Sequence, residues 1–366
     1  MSSPLISIVV PTLREAGNLP TLIDRIDKAL SGRSYEVIVV DDDSRDGTDR
    51  ACAELALRFP VRLIVRTNPI DGLGGAVMLG LGEARGSTLV VMDADLQHPP
   101  ERLPALVDAV ESGRTEFAIG SRHVAGAGVD EHWPWHRRLT SRLASFLARP
   151  FAHGVQDVMS GFFATRRDVI ERARHVAPRG FKIALELLCK TRTTSVEEIP
   201  IRFGVRAAGA SKLTTREKFR YLEHLSRLYD FTFPRVAPAM KFLVVCVVGG
   251  AAMLTSAWLM REAGVSSAWA GTSYLASIAT TAMFHARYVR AHRPHLVRPT
   301  PWRDFLMSAL AELAIAISAG FYVHQRVDVP AFVELTLIPF TLATVVRYIL
   351  RKELLLDIRG LRFISR

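Results

Sequence analysis

Two carboxylates one residue apart, Asp93 and Asp95, follow the apolar run Val90-Val91-Met92, and the amide of Gln97 comes two residues later. Carboxylates and an amide carbonyl are hard oxygen donors, the set that suits Mg²⁺ or Mn²⁺ bound to a phosphate-bearing substrate. An isolated Asp-x-Asp is also an ordinary polar turn after a strand, so the rest of the chain must decide between the two readings. His98, Pro99 and Pro100 follow and stop the strand.

The elements that would position these acids repeat along the N-terminal half. Leu5 to Val10 is an apolar run closed by Pro11, and Leu19, Leu22, Ile23, Ile26 and Leu30 then recur at helical spacing. Tyr35 to Val40 is a second strand pattern, ending at Asp41-Asp42-Asp43-Ser44, with a helix from Asp46-Gly47-Thr48 to about Phe59. Val61 to Val65, Leu73 to Ala84 and Thr88 to Met92 extend the alternation, and Phe117 to Gly120 reads as a fifth strand. Strands and helices alternating at this spacing predict an α/β fold with a mostly parallel sheet, whose ligands bind beyond the carboxyl ends of the strands. On that edge the acids become a constellation: Pro11, Thr12 and Glu15 after the first strand, Asp41 and Asp42 after the second, Asp93 and Asp95 after the fourth. Ser121 and Arg122 reach the same edge, and Arg122 is a candidate anion ligand. Gly72-Leu73-Gly74-Gly75 matches neither a dinucleotide fingerprint nor a phosphate loop and reads as a tight turn.

A formal net charge of +11 accompanies 49% hydrophobic residues. Basic residues in so apolar a chain favour an anionic membrane surface over nucleic acid. Cys52, Cys189 and Cys246 lie far apart with no Cys-x-x-Cys pair, so neither a disulfide framework nor a thiolate zinc site is indicated. Met1 to Pro4 has no basic and apolar signal-peptide pattern.

Two stretches have the make-up of helices lying in a membrane interface. The first, from Trp133 to about Phe151, interleaves Arg137, Arg138, Arg142 and Arg149 with apolar residues; the second, Thr214 to Phe231, does the same with Lys218, Arg220 and Arg227. After Pro238 four apolar stretches follow: Phe242 to Met260, Trp269 to Tyr288, Phe305 to Tyr322 and Phe332 to Ile349. Each is near the roughly 20 residues that a spanning helix needs. Arginines cluster between the second and third stretches and after the fourth. The positive-inside rule then places the N-terminal domain, the middle loop and the tail in the cytoplasm, as four crossings require. The expected domains are 1–213, an interfacial helix and linker at 214–238, and a four-helix membrane domain at 239–366.

The motifs Val-Val-Pro-Thr-x-x-Glu-x-x-Asn-Leu (from Val9), Val-Val-Asp-Asp-x-Ser-x-Asp-Gly-Thr (from Val39), Met-Asp-Ala-Asp-Leu-Gln-His-Pro-Pro-Glu (from Met92) and Gly-Ser-Arg (from Gly120) together resemble family 2 glycosyltransferases. Ser160-Gly161-Phe162-Phe163-Ala164, Gly180-Phe181-Lys182-Ile183 and Arg206-x-x-Gly-x-Ser-Lys-Leu are similar, more narrowly, to the dolichol- and polyprenol-phosphate mannose synthases among them. The four hydrophobic segments resemble a GtrA-like membrane domain. The resemblance implies a GT-A, Rossmann-like domain and the transfer of a hexose, mannose from GDP-mannose, to a polyprenyl or dolichyl phosphate. It implies a nucleotide pocket from Pro11, Leu13, Glu15, Val40 and Asp42, with metal and diphosphate at Asp93, Ala94, Asp95 and Gln97. Arg122, Arg137 and Ser141 would meet the lipid phosphate, and Lys182 and Arg206 would lie near the donor. Leu13 stands where the family often has an aromatic residue, and Val158 replaces a common proline.

A lipid phosphate is already anionic near neutral pH, so such a reaction needs no catalytic base, only positioning and charge balance. A single displacement would invert the anomeric carbon. Two other readings stay open: a UDP-sugar donor such as UDP-glucose, and a non-catalytic translocator of lipid-linked sugar. The membrane domain could anchor the protein, form a homo-oligomer or help to flip the product.

Overall fold

The structure, a computed structural model, describes residues 6–69, 71–129, 146–151, 154–173, 176, 182–193, 195–204, 215–234, 236–266, 269, 272–284, 301–326, 338 and 340–345. The chain divides into two compact units, Met1–Leu228 and Tyr229–Arg366.

In the first unit β1 (Ile6–Thr12) is buried along its whole length, because its residues serve both faces of a sheet. Ile6, Ile8 and Val10 join a core with Leu19, Leu22, Ile23 and Ile26 of α1 (Leu19–Ala29). Val9 points to the opposite face, where α3 (Gly72–Glu83) passes so close that a Cβ at Gly80 would overlap the Val9 side chain. Burial on both faces is what makes β1 read as a continuous apolar run rather than an alternating one.

β2 (Tyr35–Asp41), α2 (Thr48–Ala56), β3 (Val61–Val65), β4 (Thr88–Val91), α4 (Leu103–Glu111) and β5 (Phe117–Ser121) complete the alternation read from the sequence. The short strand β6 (Gly128–Val129) follows, then β7 (Phe163–Arg166), α5 (Arg167–Glu171), α6 (Ile183–Thr191), β8 (Val196–Pro200) and β9 (Arg202–Phe203). The seven-stranded sheet runs β3-β2-β1-β4-β7-β5-β8, and β6 and β9 pair separately. The expected fold class holds: a mostly parallel sheet, with β7 antiparallel to both β4 and β5. That one reversed strand was not legible as a strand. Its sequence, Phe163-Ala164-Thr165-Arg166, is only four residues long and carries no turn signal of its own.

α7 (Thr215–Thr232) covers the second stretch expected to lie in an interface, whereas most of the first, residues 133–145, lies outside the described residues. His224 of α7 stands 3.2 Å from Glu186 of α6, and Lys190 stands 2.6 Å from the same carboxylate.

In the second unit α8 (Ala237–Glu262), α9 (Tyr274–Phe284) and α10 (Pro301–Arg326) fall on the first three hydrophobic segments. Met253, Tyr274 and Ala316 from these helices form a buried core with Ala343 of the fourth segment. Within α10, Leu306–Gln325 is the one helix among the described residues that is long and apolar enough to cross a membrane. Of the fourth segment only residues 338 and 340–345 are described.

Candidate active site

The strand registers determine which residues meet. β1 runs parallel to both β2 and β4, with Thr12 opposite Asp41 and Val9 opposite Val91. The chain therefore leaves the sheet on one edge at Leu13, at Asp42 and at Asp93. β7 runs the other way, with Val91 opposite Phe163 and Ile119 also opposite Phe163. Continued two residues, that register brings Gly161 beside Asp93, and a Cβ at Gly161 would lie 3.2 Å from Asp93 Oδ2 and 3.4 Å from Oδ1. Only glycine leaves the Asp93 carboxylate its present place.

The acidic loop is held tightly. Asp95 Oδ1 accepts the Gln97 N–H at 3.2 Å, and Leu96 between them takes a left-handed φ of 63°. A leucine in that region is uncommon, and such strain persists where surrounding contacts over-determine the backbone. Gln97 Nε2 donates to the Gly204 carbonyl at 3.0 Å, and the Gly204 N–H donates to the Gln97 carbonyl, also at 3.0 Å. A carbonyl can only accept, so this bond assigns the amide end and leaves Gln97 Oε1 as the acceptor on the other side. The Asp93 side chain keeps 34% exposure, while Asp95 is buried. Among the described residues no three His, Cys, Asp or Glu side chains cluster as a metal-holding group. Two carboxylates and an amide oxygen still suit Mg²⁺, which commonly takes one or two protein carboxylates and completes its shell with water and phosphate.

His98 lies beneath this loop, buried, stacked on Phe162 and edge-on to Phe203. Its Nδ1 accepts the Asp93 N–H at 3.1 Å. A nitrogen that accepts an amide proton carries a lone pair, so the 3.7 Å approach of Asp93 Oδ2 to the same atom is not an ion pair. Burial agrees, holding the imidazole below its ordinary pKa against the opposing pull of Asp93 and Asp95.

Cations face the acids. Arg122 forms a two-pronged pair with Asp157, both bonds 2.7 Å, and its backbone N–H reaches the same carboxylate at 2.9 Å. Its guanidinium also lies 5.0 Å over the Phe203 ring. Asp157 is fully buried; burial favours its neutral form, but the Arg122 bonds and charge outweigh this and hold the carboxyl low. Lys182, just before α6, donates to the Met159 carbonyl at 3.3 Å. Burial and then the nearby Arg122 charge bring its ammonium down to about 7, against the pull of Asp157 and Asp93. The structure thus gathers Asp93, Asp95, His98, Arg122, Asp157 and Lys182 into one electrostatic neighbourhood.

On the side of β1 and β2 the loops are tied to each other. Asp41 accepts Thr12 Oγ1 at 3.1 Å and the Ser44 N–H at 2.8 Å, so this acid is a structural clamp. Ser44 Oγ and Asp46 Oδ2 in turn accept the backbone N–H groups of Arg14 and Ala16. Asp42 is set apart: Arg66 Nε approaches its Oδ1 at 3.4 Å without the alignment of a hydrogen bond. Burial pushes the Asp42 carboxyl up, Arg66 opposes and Asp41 adds to the rise. Glu15 Oε2 accepts Asn18 Nδ2 at 2.6 Å. Leu13 is 39% exposed, whereas Pro11, Val40 and Ala94 are buried and can offer a ligand only backbone.

Arg137, Ser141 and Arg206 lie outside the described residues. Sequence reasoning missed Asp157, and gave His98 and Gly161 no role. No local pattern marks Asp157, because its partner is 35 positions away.

Residues 7–174 match the family model described as Glycosyl transferase family 2. The chain is 43% identical over 263 residues to a dolichol-phosphate mannosyltransferase of Pyrococcus furiosus, covering 71% of this chain and 73% of that protein. The chain belongs to glycosyl transferase family 2. This glycosyltransferase is also 41% identical over 238 residues to the Saccharomyces cerevisiae dolichol-phosphate mannosyltransferase, covering 62% of the chain and 88% of that protein. To a polyprenol monophosphomannose synthase of Mycolicibacterium smegmatis it is 39% identical over 216 residues, covering 57% and 80%.

Proposed function

We propose that this glycosyltransferase transfers mannose from GDP-mannose to the phosphate of a polyprenyl or dolichyl phosphate, with inversion at the anomeric carbon. One observation carries the reading: the chain is 43% identical over 263 residues to a mannosyltransferase named for that lipid acceptor, and the acidic loop and Arg122 lie within its family 2 region, residues 7–174. Asp93, Asp95 and Gln97 would hold Mg²⁺ or Mn²⁺, which when bound supplies charge neutralisation for the leaving diphosphate. Asp42, Glu15 and the exposed Leu13 serve the nucleotide, with Pro11, Val40 and Ala94 shaping the loops behind them.

The acceptor oxygen carries its own negative charge, so no residue has to remove a proton from it. What the chain supplies is placement. Arg122, whose Nε and Nη2 are held by Asp157, would turn the rest of its guanidinium to an anionic partner, while Arg137 and Ser141 would meet the lipid phosphate and Arg206 the donor. Lys182 gains most from an arriving anion, since its buried ammonium is otherwise close to losing its proton at neutral pH.

The catalytic region, 1–213, works at the cytoplasmic face, 214–238 lies in the interface and 239–366 crosses the bilayer in several passes. The apolar Leu306–Gln325 helix and the arginine clusters on alternate connections support this arrangement.

The test is incubation of the purified full chain with Mn²⁺ or Mg²⁺, polyprenyl phosphate and either labelled GDP-mannose or labelled UDP-glucose. Transfer of label from GDP-mannose into the organic phase, as the inverted anomer, is the expected result. Transfer from UDP-glucose alone would move the donor assignment to the uridine sugars, and a retained anomer would end the single-displacement mechanism.

A further inference from the structure

We propose that His98 is a positioning residue for the metal-binding loop: its Nδ1 accepts the Asp93 backbone N–H and so fixes where the Asp93 carboxylate stands. The inference rests on the reading of Asp93, Asp95 and Gln97 as the metal site. At the end of β4 the last strand-to-strand bond is made by the Met92 N–H, which reaches the Val9 carbonyl at 3.1 Å. The next amide, that of Asp93, turns to a side chain instead, and His98 takes it at 3.1 Å. This bond closes the loop from 93 to 98 on itself, since the residue at its far end holds the residue at its near end.

The ring has little freedom to yield. It is 2% exposed, stacked on Phe162 at 5.3 Å and 23°, and met edge-on by Phe203 at 5.5 Å and 64°. Its Cε1 lies 3.5 Å from where a Cβ on Gly161 would be, in the segment leading into β7 that also flanks the Asp93 carboxylate. A rigid acceptor at the root of a ligand-bearing loop acts as an outer-shell partner, a class whose removal commonly weakens metal binding.

Two variants separate positioning from packing. His98→Leu keeps an apolar side chain between the two phenylalanines but has no acceptor. His98→Asn places its Oδ1 near the position of Nδ1, so it can accept the amide, but it loses the stacked ring. Packing alone ranks leucine above asparagine in every property. Positioning reverses that order for metal binding and leaves it unchanged for thermal stability.

The experiment is titration of the full chain in detergent with Mn²⁺, alone and with GDP, reading free Mn²⁺ by electron paramagnetic resonance, alongside thermal unfolding of each variant. Expected is a dissociation constant raised about 10- to 100-fold in His98→Leu, and restored to within a few-fold of wild type in the less stable His98→Asn. Unaltered Mn²⁺ binding in His98→Leu, or affinities that follow thermal stability, would overturn the role of His98 while leaving the metal site in place. Failure of the wild-type chain to bind Mn²⁺ in either condition would overturn the metal site and this proposal with it.

Discussion

Asp157→Asn gives the most demanding test of how the cationic side of the pocket is built. The wild-type carboxylate has no solvent exposure and accepts three bonds from Arg122, two from the guanidinium and one from the backbone. Asparagine keeps one acceptor and turns an NH₂ group towards a guanidinium that can only donate. Arg122 is itself only 12% exposed, so water cannot readily replace the lost partner. Breaking a buried pair from one side typically costs about 3–5 kcal/mol. In a unit of this size each kcal/mol moves the melting temperature by about 2–4 °C, so a fall of roughly 6–20 °C is expected. The second arm is Arg122→Met with Asp157→Asn, which removes the stranded charge. Replacing both members of a buried pair is often close to neutral, so the double variant should regain at least half of the loss. Thermal unfolding of the purified chain in detergent measures all four corners of the cycle. A single-variant fall under about 2 °C, or strict additivity of the two changes, would refute the claim that this pair is a buried, mutually dependent unit.

Three further outcomes follow from the same geometry. Gly161→Ala puts a Cβ 3.2 Å from Asp93 Oδ2, so the carboxylate must give by a few tenths of an ångström. With a 1 Å misplacement costing about 100-fold, steady-state transfer assays should show a rate lower by roughly fivefold at little cost in melting temperature. Gly120→Ala should do the reverse: its Cβ would fall 2.7 Å from Phe162 Cδ1 and 3.2 Å from Ile201 Cγ2, inside the core. Overpacking of that kind costs about 1–3 kcal/mol, read as a lower unfolding temperature. At Glu186 burial disfavours the charge, but His224 and Lys190 prevail and hold the carboxyl down at about 2. A depressed carboxyl stabilises the fold at pH above its unfolded value of about 4.3 and loses that contribution as pH falls towards 2, at up to about 1.4 kcal/mol per pH unit. Acid melting curves should therefore be shallower between pH 4 and 2 in Glu186→Gln than in wild type, and parallel curves would remove Glu186 from the account.

The parallel half of the sheet was legible because its signals are local. Runs such as Ile6 to Val10 and Glu36 to Val40 are buried strands, and the helical recurrence of Leu19, Leu22, Ile23 and Ile26 marks the surface that covers them. Register then follows nearly for free, because successive parallel strands leave the sheet on one edge and carry their acids there. Asp42, Asp93 and Asp95 could be assembled from the sequence for that reason alone. The reversed strand β7 breaks the scheme. Its pairing with β4 and β5 is set by contacts across the sheet, and short strands of this kind depend on partners more than on their own composition.

What the sequence concealed is the layer behind the acids, and the reason is sequence distance. Arg122 reads as a free anion ligand until β7 and the turn before it bring Asp157 across from 35 positions away. His98 reads as one more polar residue in a turn until Phe162 and Phe203, from two other segments, close on its faces. In each case a chemically eloquent side chain is held by a partner that no motif spacing announces. The acidic loop and the cations opposite it therefore belong to one sheet edge by topology. Their precise positions depend on β7, whose end places Gly161 against Asp93, Phe162 against His98 and the Asp157 turn against Arg122. Loosening β7 should therefore disturb the acidic loop and the cations opposite it together, whereas loosening β3, at the far edge of the sheet, should leave both intact.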